Sequence, residues 1–289
     1  MPLHLDRTQL ALLEHGRAGA DRTVVLLHGM GDSAACWPDA TARWAERHRV
    51  IAVDARGHGR SPRFTAAELA DGPGEVMVAD TVTLLDDLAR AGVQRPCLVG
   101  HSMGASVAAL AAAEAPDLVR ALVLEDPAWR DDLERRTTVQ RATERVAGAE
   151  RARLDVAAEV ERGRQEHPSW PDAELWPWAV STTETDHGFL ALENPLPKAP
   201  WRHVARSLRV PTLLVTGTVD VIVGVEVRLA LGEVANPMIE VAVVEGAGHC
   251  VRRDRPDGYH AVVDPWLSAL FETGIAAARA SSTAGSTAD

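Results

Sequence analysis

The hydrophobic positions of the first 125 residues fall into short unbroken runs separated by longer stretches of helical period. Runs at 23–27, 50–53, 96–99 and 119–124 are apolar without alternation, which predicts strands buried on both faces of a parallel sheet. Between them, 33–47 carries Trp37 and Trp44, 75–91 sets Val78, Val82, Leu85 and Leu88 at helical spacing before Gly92, and 105–115 is dense in alanine and leucine. These three stretches predict helices, so strand and helix alternate and the sheet is covered on both sides. Residues 3–14 alternate weakly and predict a strand pair turning near Asp6.

The pattern breaks after residue 128. From 129 to 206 there is no strand-like run, charges are frequent, and helix formers dominate 133–165. Strand and helix alternation returns at 210–216, 221–234 and 238–244, and a last helix is predicted at 259–271. The chain therefore divides into a first core part (1–128), an inserted helical cap (129–206), a second core part (207–272) and an aperiodic, Ala/Ser/Thr-rich tail (273–289) predicted to be disordered. Five of the eight tryptophans, Trp129, Trp170, Trp176, Trp178 and Trp201, fall in the insert. Most such rings hold a small helical unit together, but an insert over a cleft turns its apolar side to that cleft, so one or two should line it.

Composition narrows the function. Hydrophobic residues at 46% and charged ones at 25% are ordinary for a globular enzyme. A net charge of -11 argues against nucleic acid or an anionic membrane as partner and makes a small neutral or cationic molecule the expected substrate. Three scattered cysteines, Cys36, Cys97 and Cys250, form no disulfide framework or Cys-x-x-Cys metal site, and reduced thiols suit a cytoplasmic protein. The first residues lack the basic flank and apolar core of a signal peptide, and no run reaches membrane-spanning length. No metal cluster or phosphate-cradling loop is visible, so no cofactor is expected; Gly57-His58-Gly59 lacks the third glycine of a dinucleotide fingerprint.

The chemistry centres on Gly100-His101-Ser102-Met103-Gly104, between a predicted strand and a predicted helix. A serine at so sharp a turn needs positions nearly free of side chain two before and two after it, and Gly100 and Gly104 supply them. Its hydroxyl is a poor nucleophile without a nearby base, which near neutrality means histidine, and the histidine needs a carboxylate to fix its tautomer. Of eleven histidines, His249 follows a predicted strand in a glycine-bracketed loop at the sheet edge where ligands gather. His28 reads as shaping its loop, and His101 cannot easily turn onto its neighbour's hydroxyl.

His28-Gly29-Met30-Gly31, Asp54-x-Arg56-Gly57-His58-Gly59-x-Ser61, the serine motif, Thr216-Gly217-x-x-Asp220 and Gly246-x-Gly248-His249 together resemble the α/β-hydrolase family over roughly residues 23–271. The resemblance implies a mostly parallel eight-stranded sheet with helices on both faces and a helical cap inserted after the sixth strand. It also implies a triad of Ser102, an acid and His249 in that order. The acid position after the seventh strand falls on Asp220, and the alternative position at the end of the sixth falls on Asp126, beside Glu125. The backbone N–H groups of Met30 and Met103 match the oxyanion donors, and the loop from Asp54 to Ser61 is structural.

Epoxide hydrolases and haloalkane dehalogenases of this family use aspartate where Ser102 stands, and its peptidases usually place Trp where Met103 stands. Its carbon-carbon hydrolases carry Trp after the histidine, where this chain has Cys250. The expectation is a serine hydrolase, an esterase or lactonase acting through an acyl-enzyme on Ser102. The alternatives are a carbon-carbon bond hydrolase, a cofactor-independent lyase or oxygenase on the same triad, or a weakly catalytic ligand receptor. Trp129, Trp176, Trp178 and His187 are the candidate substrate contacts, and the tryptophans suggest a hydrophobic substrate.

Overall fold

The computed structural model describes residues 5–16, 22–130 and 135–272, with side chains omitted at 135–137. Seven strands form one sheet in the order β1-β3-β2-β4-β5-β6-β7. In chain order they are β1 (Leu12–His15), β2 (Thr23–Leu27), β3 (Arg49–Val53), β4 (Cys97–His101), β5 (Ala121–Glu125), β6 (Thr212–Thr216) and β7 (Ile239–Val243). All neighbours pair in parallel except β1, which runs antiparallel to β3 at one edge. The strands that read as unbroken apolar runs are those at the centre: every residue of β2, β4, β5 and β6 is buried. β7, at the other edge, is half exposed.

Side chains alternate to two cores. Val25, Leu27, Leu98, Leu122 and Leu124 pack against Leu84, Leu85 and Leu88 of the helix Pro73–Arg90 and against Ala105, Ala108 and Ala112 of the helix Met103–Glu114. On the other face Val24, Leu26, Val99, Val123 and Val215 meet Trp37, Trp44, Tyr259, Val263 and Trp266. Helix Met103–Glu114 is buried on nearly every side, and its alanines let it lie close to the strands it follows.

Three expectations change in detail. The sheet has seven strands among the described residues where eight were expected. Of the strand pair expected at 3–14 only β1 forms among the described residues; the Asp87 carboxylate accepts the N–H groups of Arg7 and Thr8, at 2.8 and 2.7 Å, and ties that segment to a helix. The helix expected at 33–47 spans only Pro38–Trp44, since the preceding residues close turns such as Asp32 N–H to Gly29 O, and Pro38 starts the helix. The tail expected to be disordered (273–289) lies outside the described residues.

Between β5 and β6 the described residues contain helices and no strand: Arg135–Leu154, Val156–Glu166, Asp172–Thr183, His187–Leu190 and Trp201–Ser207. They bear on the loops at the carboxyl ends of the strands. Ser181 Oγ donates to Gly31 O, the Asp186 N–H to Gly57 O, and Trp170 Nε1 to Asp254. The two stems of the insert meet where Trp129 stacks on Trp201, with ring centres 5.6 Å apart. No described helix is long and apolar enough to cross a membrane.

All three cysteines are free and buried. Burial pushes the Cys36 thiol up to about 12 and raises those of Cys97 and Cys250 as well. At about pH 8 a thiol at about 12 is thiolate in about one molecule in ten thousand. The folded protein should therefore leave a disulfide reagent such as DTNB unreacted over minutes, and all three thiols should titrate after denaturation; rapid labelling of the native chain would contradict this burial.

Candidate active site

Ser102 caps the helix Met103–Glu114 directly after β4 with φ 50° and ψ -109°, a left-handed conformation that is strained for a side-chain-bearing residue. The two glycines of the motif permit the turn. A Cβ on Gly104 would strike the carbonyls of Leu27 and His28, and one on Gly100 would strike Ala105 and the Gly104 carbonyl. The Ser102 N–H donates to Glu125 O on the next strand at 2.9 Å, which fixes the turn against β5. Met103 is the first residue of its helix, so its N–H has no intrahelical acceptor and lies free beside the serine.

His249 follows β7 as expected, and its Nε2 lies 3.0 Å from Ser102 Oγ. Its Nδ1 is 2.6 Å from Asp126 Oδ2, so the carboxylate that meets the ring is Asp126. Asp126 is fully buried and lies at φ 37°, just past β5. Besides His249, its oxygens accept from Thr216 Oγ1 and from the N–H groups of Ile222 and Val223. Four donors and no acceptor face it, which suits an acceptor-only side chain.

The expectation placed on Asp220 is corrected. It is exposed on the loop after β6, at φ 49°, and makes no hydrogen bond to His249. It also caps no helix: the backbone N–H groups of Ile222 and Val223 turn to Asp126 instead, and the helix starts only at Val225.

The neighbouring Glu125 holds the other end of the same turn. Both its oxygens accept from Arg252, one from the backbone N–H at 2.7 Å and one from the guanidinium at 2.8 Å, while that guanidinium lies over the Trp37 ring. Burial raises the Glu125 carboxyl, and the attraction of Arg252 works against that rise. His101, Glu125 and Cys250 lie within 4.8 Å of one another, a grouping that could hold a metal ion. The Arg252 guanidinium donates to two members of this group, Glu125 at 2.8 Å and Cys250 Sγ at 3.2 Å.

The loop carrying Met30 is braced by two neutral histidines. His28 donates from Nδ1 to Gly29 O and accepts the Ala55 N–H at Nε2. His58 donates from Nδ1 to Arg56 O and accepts the Gly31 N–H. Asp54 completes the brace by accepting from the N–H groups of Ala34 and Arg60. The Asp54–Ser61 loop is thus structural in its contacts. His101 points away from its neighbour's hydroxyl and donates to the His249 carbonyl, at 3.2 Å.

Ser102, His249, Met30 and Met103 open into a cleft of about 680 Å³ under the insert. Of the four expected substrate contacts only Trp178 lines it. Trp129 is 3% exposed and packs in the core against Trp201. Trp176, two positions from Trp178 on one helix, points nearly the opposite way and is 57% exposed. His187 lies at the surface, 3.4 Å from Glu150. The ring that sequence reasoning missed is Trp170, stacked on His167 at 4.1 Å and edge-on to Trp178 at 5.8 Å. Arg253 lies over Trp170 and pairs with Glu174 of the insert and with Asp32 of the Met30 loop. Arg130, Arg141 and Arg145 line the same cleft, as do Glu193, Asp220 and Asp254, so its wall is more charged than the tryptophan-rich sequence suggested.

A nucleophile elbow, a histidine and a buried carboxylate at the carboxyl edge of a parallel sheet define the α/β-hydrolase class of fold and site. The model of the alpha/beta hydrolase family matches residues 24–262, and the chain belongs to that family. It is 31% identical over 257 residues to a 2-(acetamidomethylene)succinate hydrolase of Mesorhizobium japonicum, covering 83% of this chain and 85% of that one. To Epoxide hydrolase A of Mycobacterium tuberculosis it is 29% identical over 313 residues, covering 91% and 95%. It also matches uncharacterized mycobacterial proteins at 37% identity over 111 residues, and there the matched stretch spans only 29% of their length. The crystal structure of the enol-lactonase from Burkholderia xenovorans superposes with a TM-score of 0.68 at 24% identity, covering 91% and 98% of the two chains.

Burial pushes the His28, His58 and His101 imidazoles down, the last two well below the ordinary value. The unfolded chain takes up protons on these rings near about pH 6.5 while the folded chain does not, so this contribution to stability is complete above that pH and is lost as the pH falls through it. These rings should therefore make the unfolding free energy fall between about pH 7.5 and about pH 5.5, read from urea unfolding at both. A flat profile would contradict the neutral braces.

Proposed function

We propose that the protein hydrolyses a carboxylic ester or lactone of a small molecule through an acyl-enzyme on Ser102, with His249 as base and Asp126 as its carboxylate partner. One observation carries this reading: the unbroken line from Ser102 Oγ through both nitrogens of His249 to the buried Asp126, at 3.0 and 2.6 Å. His249 Nε2 takes the hydroxyl proton as Oγ attacks the carbonyl carbon, and the imidazolium is balanced by Asp126. The oxyanion is received by the N–H groups of Met30 and Met103, a contribution of about 3 kcal/mol for each such donor. Collapse expels the alcohol, which takes the proton from His249, and water attacks the acyl-enzyme with the same base.

The named relatives include a 2-(acetamidomethylene)succinate hydrolase and an enol-lactonase, and hydrolysis of a lactone is within the reach of the same serine chemistry. The resemblance to the α/β-hydrolase family implies aspartate in its epoxide hydrolases where this chain has Ser102, and a hydroxyl nucleophile suits acyl transfer.

The test is a p-nitrophenyl ester series from acetate to decanoate, with an aryl lactone, on the wild type and three variants. Ser102→Ala should lose at least about a thousandfold in kcat. Asp126→Asn should lose about 10⁴-fold, the scale set by the wrong histidine tautomer. Asp220→Asn, an exposed change, should stay within about threefold. Most of the activity surviving in Ser102→Ala would point instead to direct proton abstraction by His249, and a wild type limited to a single turnover would point to a receptor.

A further inference from the structure

Three arginines line the cleft that holds Ser102: Arg130, four residues past Asp126, and Arg141 and Arg145 on the helix Arg135–Leu154. Arg141 and Arg145 stand four apart, so they share one face of that helix and repel each other. Arg145 is held in place by neutral groups, its guanidinium donating to the carbonyls of Leu190 and Leu192. Arg130 and Arg141 have no hydrogen bond or ion pair among the described residues.

Other arginines near the cleft are matched by carboxylates, Arg253 by Glu174 and Asp32, and Arg162 by Glu159 and Glu166. Those pairings occupy Asp32 and Glu166, while Asp254 accepts from Trp170 Nε1 and from the Gly248 N–H. Glu193 has an interaction of its own, and Asp220 is exposed on the loop after β6. Burial, and then the charge of Arg141, push the Arg130 and Arg145 guanidinium groups down from their ordinary value, and the pull of Asp126 on Arg130 does not reverse this. A guanidinium remains charged even so. Three half-buried cations face one space, and no carboxylate among the described residues is hydrogen-bonded or ion-paired to any of them.

We infer that Arg130, Arg141 and Arg145 form an anion subsite, and that the substrate carries a carboxylate group beyond the carbonyl that Ser102 attacks. A carboxylate accepts charge-assisted hydrogen bonds from such guanidinium groups and can be held by two at once. Bound there, it would give Arg130 and Arg141 the direct partner that no described carboxylate supplies and fix the orientation of the scissile carbonyl over Ser102. The inference rests on the acyl-hydrolase reading for its chemistry and on the arginine wall for its specificity.

The test compares mono-p-nitrophenyl adipate with p-nitrophenyl hexanoate, acyl groups of equal length that differ in the terminal carboxylate. The wild type should prefer the adipate ester by about tenfold or more in kcat/KM, and added salt should reduce the preference. Arg141→Met and, separately, Arg130→Met should each lower the adipate-to-hexanoate ratio by about tenfold, with Arg141→Lys in between. Equal use of both esters by the wild type, or an unchanged ratio in both methionine variants, overturns the subsite.

If the wild type cleaves neither ester faster than Ser102→Ala does, the acyl-hydrolase reading is what fails. Adipate binding by calorimetry then decides the subsite independently: saturable binding by the wild type that is weakened in Arg141→Met supports it, and no binding overturns it. Far-ultraviolet circular dichroism checks that each variant is folded.

Discussion

Everything at the sheet edge hangs on the carboxylate of Asp126. It is buried completely, and burying a charge is costly unless donors surround it. The donors come from three separate segments: the end of β6 through Thr216, the following loop through Ile222 and Val223, and the loop after β7 through His249. One side chain therefore sets where two loops lie relative to β5. Glu125 points the other way, as successive residues at a strand end do, and grips Arg252 three residues past His249. Two adjacent carboxylates thus hold both ends of one short turn, and the imidazole between them has little freedom to leave Ser102. Removing one partner of such a buried pair costs about 3–5 kcal/mol, so orientation and stability are here the same interaction.

The central strands were legible because a strand buried on both faces must be an unbroken apolar run, and β2, β4, β5 and β6 are. Ser102 was legible because its turn demands two glycines at fixed offsets. His249 was legible because its loop sits at the same edge. The acid was not, because Asp126 and Asp220 both follow strands that end there, and local sequence says nothing about which backbone will turn inward. That is decided by Asp126 at φ 37° and by N–H groups nearly a hundred residues away. The tryptophans failed similarly: composition correctly puts one or two rings in the cleft, but helix phase selects Trp178 over Trp176, and a contact with Asp254 places Trp170. Arg130, Arg141 and Arg145 had no signal at all, since an arginine facing a cleft and one facing water look alike in sequence.

The electrostatics of the molecule run in two directions. The chain as a whole carries -11, and at long range this field opposes the approach of an anion. Beneath the catalytic loops the buried charges are paired, Arg252 with Glu125 and Arg253 with Asp32 and Glu174, while burial keeps His28, His58 and His101 neutral. Within the cleft Arg130 and Arg141 stand without a hydrogen bond or ion pair among the described residues, beside carboxylates that line the same space. Screening by salt erodes the global field beyond about 8 Å at physiological ionic strength, while the partly enclosed wall is screened less, so close contacts decide what is held there.

The stacked indoles of Trp129 and Trp201 join the points where the insert leaves the core and returns to it. Because the clasp lies in the core under the sheet edge, the polypeptide between its two ends can lengthen, shorten or diverge while the strands keep their register. The entropy of closing such an excursion grows only with the logarithm of its length, about 0.6 kcal/mol for each doubling. Evolution can therefore exchange the roof of the cleft as a cassette, and lineages that share this scaffold can diverge in diet without refolding the machinery beneath.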